Sequence, residues 1–293
     1  MMNISLKQLK VFVAITQHTT LTAASESLFL SKAAVSMALS ELEKQLGHPL
    51  FDRINNRLML NQEGQKLLPL ADELISRVST IDSLFLDNAP VTGTLRIGAS
   101  DTIGNHLLPC LLSDFRKKQE HFSQKILISN SEYIHKKLLD YELDIALVEG
   151  KAYENDLVSR VFNHDSMCII SPKNHHLINK SKVNFEDLNN SHWVLREEGS
   201  GSRTFFLNKI APNIEHWKKS VELNTTEALI NCVANGFGLG CLSSLSAQYA
   251  IRDGRISRIE LNYPMRRDFW MVMHKDKYKN PLLKKFIEFC EQY

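Results

Sequence analysis

No run of about 18 consecutive apolar residues occurs anywhere in these 293 residues, which excludes an ordinary membrane-spanning helix. The first residues lack the uninterrupted apolar core of a secretion signal, because Lys7, Gln8 and Lys10 break it; a cytoplasmic protein is expected. An excess of one charge is missing too. The formal net is +2, and residues 1–90 hold eight basic against nine acidic side chains. A broadly basic face is therefore invisible in the totals, and any positive surface has to be concentrated by the fold. Cysteine is sparse: Cys110, Cys168, Cys232, Cys241 and Cys290 are odd in number and show no metal-binding spacing. His175-His176 has no third ligand nearby. Gly236-Phe-Gly-Leu-Gly240 follows a helical pattern and leads into a strand, the reverse of a dinucleotide fingerprint. No Ser/His/Asp set or carboxylate pair stands out, so neither an enzyme nor a bound metal or cofactor is expected. What is present, 43% hydrophobic and 23% charged residues, is the composition of a globular protein of two or three domains.

The stretch from Thr20 to Arg53 organises the chain. Val35, Leu39, Leu42 and Leu46 recur at steps of four and three, giving one apolar face on a helix. Ala23, Ala24 and Leu28 give the preceding helix a small-residue face that permits close approach. Ser31 stands at the N-cap position, and Gly47 followed by Pro49 ends the second helix. Its outward first turns carry Lys32, Ala33, Ser36 and Met37. This is the arrangement of a helix-turn-helix, whose second helix offers its N-terminal residues to base edges. Leu50 to Arg53, a turn at Asn55-Asn56 and Arg57 to Leu60 read as a hairpin with an arginine on each arm. Such a wing is placed to touch phosphate or the minor groove.

These residues carry a resemblance. Ala23-Ala24, Leu28, Ser31, Ala34-Val35-Ser36, Leu42-Glu43, Leu46-Gly47, Leu50-Phe51 and Arg53 resemble the LysR-type transcriptional regulators. One departure is that the family usually has Gln where this chain has Lys32, and often Pro or Ser in place of Ala33. A lysine favours guanine acceptors or a phosphate over adenine. The resemblance implies a regulator that binds double-stranded, pseudo-palindromic operator DNA. It assigns Lys32, Ala33 and Ser36 to base contacts, and Ser31, Arg53 and Arg57 to phosphate or minor groove. It also implies a small-molecule effector, a homodimer through the linker helix, a homotetramer as dimer of dimers, and RNA polymerase as a candidate partner.

Beyond the wing the pattern remains readable. Residues 6–18 form a first helix with Leu6, Leu9, Phe12 and Val13 inward. Asn61 can cap a long helix to about Leu86, whose Leu67, Ala71, Leu74, Val78, Ile81 and Phe85 form a heptad seam asking for a partner. Pro69 should bend it near its start. Residues 87–93 are a polar hinge. Alternating strands and helices follow, the signature of a parallel sheet with crossovers. Strands are expected at 95–100, 125–129, 143–148, 166–170, 193–195, 221–223, from Gly240, and at 269–273. Helices are expected around 107–119, 132–141, from about Thr204, at 226–234 and at 281–293. The fold class is α/β: an N-terminal winged helix-turn-helix, a long linker helix and a two-lobed effector domain like a periplasmic binding protein. The expected domains are 1–61, 62–93 and 94–293, with lobe I at 94–166 plus 268–293 and lobe II at 167–267.

Ligands of open α/β sheets sit at the carboxyl ends of strands, near helix N-termini. Those ends supply Ser100, Asp101 and Thr102, then Ser129, Asn130 and Ser131, then Glu149. The second lobe adds a turn from Arg196 to Arg203 and Asn224-Thr225-Thr226. Hydroxyls and free N–H groups at helix starts suit a small anion, although each such residue also suits the plain task of capping its own helix. Glu149 conflicts with a pure anion site: it asks for a proton, a cation, a ligand bearing a donor, or Arg203 as partner. The Arg196–Arg203 turn and the Ser100–Asn105 loop look like one branch of the family, whose proposed effector is a sulfite-type oxyanion. That resemblance maps onto Ser100, Thr102, Ser131, Glu149, Ser202 and Thr226. Two alternatives stay open. One is a redox-switched regulator using Cys232 and Cys241, nine residues apart but in apolar surroundings that favour inert thiols. The other is a small-molecule binding protein with a helical assembly module.

Overall fold

The structure is a computed structural model; it describes residues 3–55, 57–84 and 93–293, and for 82–84 the backbone alone. The turn residue Asn56, the seam position Phe85 and hinge residues 87–92 lie outside the described residues.

Three helices open the chain: α1 (Leu6–His18), α2 (Leu21–Ser27) and α3 (Lys32–Leu46). Each start is fixed by an N-cap that satisfies a free N–H group of the first turn. Ser5 and Gln8 cap α1 reciprocally, Thr20 accepts from the Ala23 N–H, and Ser31 accepts from the Ala34 N–H. Gly47, at φ +75°, ends α3 in the left-handed region that glycine enters without strain. Phe12, Ile15, Val35 and Leu42 are fully buried between the helices. The hairpin of β1 (Phe51–Ile54) and β2 (Arg57–Leu60) is tied to this core at both arms. Glu43 accepts from the Leu50 N–H at 2.8 Å, and the Leu58 N–H donates to the Thr19 carbonyl at 2.8 Å.

The linker helix α4 (Gln62–Leu84) continues through Pro69. Its buried face differs from the heptad reading. Ala71 is fully buried, together with Leu68, in the core of the three N-terminal helices, so it is unavailable to a partner. Leu70, Leu74 and Ile81 are the exposed apolar residues, 59%, 49% and 51% accessible, with Val78 partly exposed between them. The stripe therefore rotates by about one residue at its start, because the first turns of α4 must also cover α1.

The C-terminal part is built on β3 (Leu95–Ala99), β4 (Gln124–Ile128), β5 (Ile145–Val148), β6 (Leu157–Pro172), β7 (Ser191–Arg196), β8 (Trp217–Leu223), β9 (Leu239–Ser243), β10 (Ile256–Ile259) and β11 (Arg266–His274). Their order is β4-β3-β5-β11-β6-β9-β7-β8, with β10 paired to β6. β6 belongs to both lobes. Its first half pairs with β11, and its second half pairs with β9 and β10. Helices α5 (Leu108–Gln119), α6 (Ser131–Leu139) and α10 (Pro281–Glu291) cover the first lobe, around Phe115, Ile145 and Phe286. Helices α7 (Gly201–Phe205), α8 (Thr226–Ala234) and α9 (Ser244–Arg252) cover the second, around Trp193, Phe206 and Ile170.

Buried histidines give this fold an acid-sensitive component. His274 Nδ1 lies 2.8 Å from the Tyr141 hydroxyl and accepts from the Asp276 N–H at 3.1 Å, an arrangement that requires an unprotonated nitrogen. Burial pushes the imidazoles of His274 and His135 below their ordinary value, against the pull of nearby carboxylates. The unfolded chain thus binds protons that the folded one resists. This part of the stability is complete above about pH 6.5 and is lost as pH falls through the lowered folded values. The melting temperature is expected to drop between pH 7 and 5, and His274→Gln to flatten that drop. An identical pH profile in the variant would remove His274 from the account.

Candidate functional site

The six cleft residues chosen from strand ends lie along the two facing lips of the lobes, but most already have protein partners. Glu149 follows β5 and is buried. One carboxylate oxygen accepts from the Thr102 N–H at 3.1 Å, at the start of the helical segment behind β3, and the other meets Arg267 at 3.0 Å. A carboxylate on free N–H groups at a helix start is a favourable placement. It is Arg267, not Arg203, that neutralises Glu149. Arg203 instead binds Glu222 at 2.6 Å and the Arg196 carbonyl at 3.2 Å. Arg267 also reaches Asp165 on β6 at 2.5 Å and the Ser202 hydroxyl at 3.3 Å. Ser243 completes the cluster by donating to Asp165 at 3.1 Å.

A second set closes the lips. Asp101 of the first lobe accepts from Thr226 and meets Arg196 of the second lobe at 3.2 Å. Arg196 donates to Thr226 at 2.8 Å and holds Glu197 at 2.8 Å. The Glu132 N–H donates to the Gly199 carbonyl, and Asn130 reaches Glu197, both at 3.3 Å. The lobes therefore stand in direct contact. Two hydroxyls at this seam remain unused: Ser100 Oγ and Ser131 Oγ are buried with no hydrogen-bond partner among the described residues. So is the Nε of Arg267. Buried polar atoms without partners are uncommon and cost roughly 1–3 kcal/mol each.

Asp101, Asp165, Arg196 and Arg267 form the charged frame; strand-end reading named Asp101 and Arg196 but neither Asp165 nor Arg267. Asp165 and Arg267 come from the two crossing strands, where no helix start marks them. His106 sits close enough to feel Asp101 and Asp165, while partial burial lowers its tendency to protonate. Counting Glu149 and Glu197, this frame carries four carboxylates against two guanidinium groups.

Gly201 lets the lips meet. A Cβ there would fall 2.5 Å from Glu149 Cβ and 2.7 Å from its carboxylate oxygen. Gly201→Ala is expected to prise Glu149 from Arg267 and to destabilise the chain by about 1–3 kcal/mol, the usual range for overpacking. Urea denaturation of the variant measures this, and an unchanged midpoint would show that the lips part freely.

At the other end of the molecule, Ser31, Lys32 and Ala33 are exposed at the start of α3, Ser36 is half-buried one turn on, and Met37 is 73% exposed. Arg53 and Arg57 are exposed on opposite arms of the wing, Arg53 one residue before the end of β1 and Arg57 at the start of β2. Phe29, unremarked in the sequence, is 96% exposed at φ +55° in the turn before α3. Its positive φ was not foreseeable from composition, since a bulky aromatic rarely adopts it.

Two family models match: "Bacterial regulatory helix-turn-helix protein, lysR family" over residues 6–65, and "LysR substrate binding domain" over residues 88–293. The chain belongs to the LysR family. It is a DNA-binding transcriptional regulator with an effector-binding domain. The Escherichia coli LysR-type regulator YeiE is 32% identical over 291 residues, spanning 99% of this chain and 98% of that one. CysL of Bacillus subtilis is 28% identical over 294 residues, spanning 94% and 98%. Among solved LysR-type structures, a full-length OxyR variant of Pseudomonas aeruginosa superposes with a TM-score of 0.78 at 20% identity, covering 98% and 95% of the two chains. The CcmR regulatory domain of Synechocystis, solved in complex with 2-PG, gives 0.64 at 23% identity, covering 69% of this chain and 97% of that one. These LysR relatives are regulators rather than enzymes, and no helix among the described residues is long and apolar enough to cross a membrane. Of the redox pair, Cys241 is buried, and burial pushes its thiol up strongly, away from the reactive thiolate, while Cys232 is partly exposed.

Proposed function

We propose that residues 1–61 bind operator DNA, that 62–93 pair and link protomers, and that 94–293 sense a small oxyanion. Lys32, Ala33 and Ser36 read base edges in the major groove, while Ser31, Arg53 and Arg57 meet phosphate or minor groove. The observation carrying this is the exposed start of α3 beside a wing with two exposed arginines. The exposed stripe of Leu70, Leu74, Val78 and Ile81 is the pairing face, and pairing of dimers gives a tetramer on a pseudo-palindromic operator. The protein works in the cytoplasm, where such operators and RNA polymerase are.

The effector enters between Ser100, Thr102, Ser131, Glu149, Ser202 and Thr226. Support comes from the idle hydroxyls of Ser100 and Ser131, which are donors waiting for an acceptor. The surplus of carboxylates around them sets the ligand's chemistry: a fully ionised anion is repelled, whereas one carrying a proton can donate to Glu149. Hydrogen sulfite meets both conditions. Calorimetry of the full chain with sulfite and with sulfate, at pH 6 and pH 8, tests this. Sulfite binding that tightens at pH 6, with sulfate bound at least about tenfold more weakly, is expected. Equal binding of the two ions, or sulfite binding that is pH-independent, overturns the oxyanion reading and leaves the DNA-binding one intact. Fluorescence anisotropy on DNA upstream of its own gene, with competitor DNA, tests the latter.

A further inference from the structure

The linker helix is joined to the first lobe by a buried ion cluster that no family feature given above explains. Asp72 on α4 is 7% exposed. It receives the Lys277 ammonium at 2.7 Å and the Arg96 guanidinium at 3.3 Å. Both cations belong to the effector-binding domain, Arg96 on β3 and Lys277 in the turn after β11. Both also share Asp144, at 2.5 Å from Arg96 and 2.8 Å from Lys277. Arg96 also donates to the Tyr141 carbonyl at 2.8 Å. Tyr141 is itself packed into the hydrophobic core that holds α1 and α4. Asn280 donates to the Ser76 hydroxyl at 3.0 Å, and Arg77 stacks over the Tyr278 ring at 4.4 Å. Two consecutive turns of α4 thus dock on one edge of the first lobe.

The charge balance shows what this joint does. On the lobe side, Arg96, Lys277 and Asp144 leave one positive charge unanswered. Asp72 supplies the missing negative charge, and only when α4 lies in this one position. An uncompensated charge at a buried site is strongly unfavourable, so the cluster discriminates between docked and undocked helix instead of merely adding contact. We infer that Asp72 is a positioning residue: it locks α4, and with it the recognition helix α3, at one orientation to the effector-binding domain. In a tetramer whose dimers pair through α4, that orientation sets the distance between the recognition helices of one dimer and those of the other. The separation of the two dimer sites on DNA mirrors that distance. The inference rests on DNA binding by an oligomer and is independent of what the cleft binds.

The test is in vitro selection of DNA by the whole chain from a pool in which two operator sites, one for each dimer, are separated by every spacing over two helical turns. The native chain is expected to recover one spacing. Asp72→Asn is expected to recover the same half-site sequence while its preference for that spacing over neighbouring ones falls at least about tenfold, a factor equal to 1.4 kcal/mol. Lys277→Met, which empties the same cluster from the lobe side, should broaden spacing equally, and the double variant should add nothing further. Asp72→Glu should restore part of the preference, and Lys66→Gln, at the exposed start of the same helix, should change nothing. An unaltered spacing preference in both Asp72→Asn and Lys277→Met overturns the inference. Loss of the half-site sequence itself also overturns it, because Asp72 would then act on the stability of the DNA-binding helices.

Discussion

Replacing Arg267 with methionine is expected to destabilise the effector-binding domain by about 3–5 kcal/mol, the cost of stranding buried charges. Arg267 is the cation shared by Glu149 and Asp165, and the three side chains are each no more than 5% exposed. Methionine fills much of the volume, so the loss is electrostatic more than steric. Two carboxylates would remain, supported by the Thr102 and Ser166 N–H groups and the Ser243 hydroxyl. Arg267→Lys should recover part of the loss, since a single ammonium cannot span both acids as a planar guanidinium does. Urea denaturation at pH 7 measures both variants. A methionine variant as stable as the native chain would remove this cluster from the stability of the domain.

That cluster also marks where the sequence stops being informative. The helix-turn-helix was readable because its caps and apolar repeats are local: Ser5, Thr20, Ser31 and Gly47 each act within four residues. The lip residues were readable for a similar reason, since each follows a strand. Arg267 and Asp165 were not, because β11 and β6 bring them together from 102 positions apart in the chain. Strand β6 itself was expected only from Ser166 and begins at Leu157, because the outer half is polar and leaves Val158 and Val161 exposed. The helix behind β3 was expected near Leu107, yet the chain is helical from Asp101. A π-helical turn at Ile103–Leu107 breaks the 3.6-residue repeat on which the reading depends. Gly104 belongs to that turn for a packing reason, since a Cβ would lie 2.7 Å from Ile128. Helix α9 and strand β10 went unread because both take their place from contacts with β6. The heptad seam was legible as a repeat but not in phase: Ala71 faces its own domain, and only the packing of α1 on α4 decides that.

Ser36→Arg is expected to abolish sequence-specific operator binding while leaving the fold intact. Val35 and Leu39 face the core and are buried, which turns Lys32, Ala33, Ser36 and Met37 toward the opposite side of α3. Those residues are short or flexible, so the helix backbone can enter a major groove about 12 Å wide. An arginine at position 36 fills that space and carries a charge that finds phosphates on any sequence. Specific affinity should therefore fall by roughly 10³-fold or more, to the level of non-specific binding, while the salt dependence persists. Arg57→Ala on the wing gives the contrasting signature. It should weaken binding uniformly across sequences and lower the salt slope by about 1, as the loss of one phosphate contact does. Anisotropy titrations at several salt concentrations, on selected and scrambled half-sites, separate the two. Normal discrimination by Ser36→Arg, with an unchanged melting temperature, would move the base-reading surface off this face of α3. The exposed Phe29 in the adjoining turn would then become the next residue to replace.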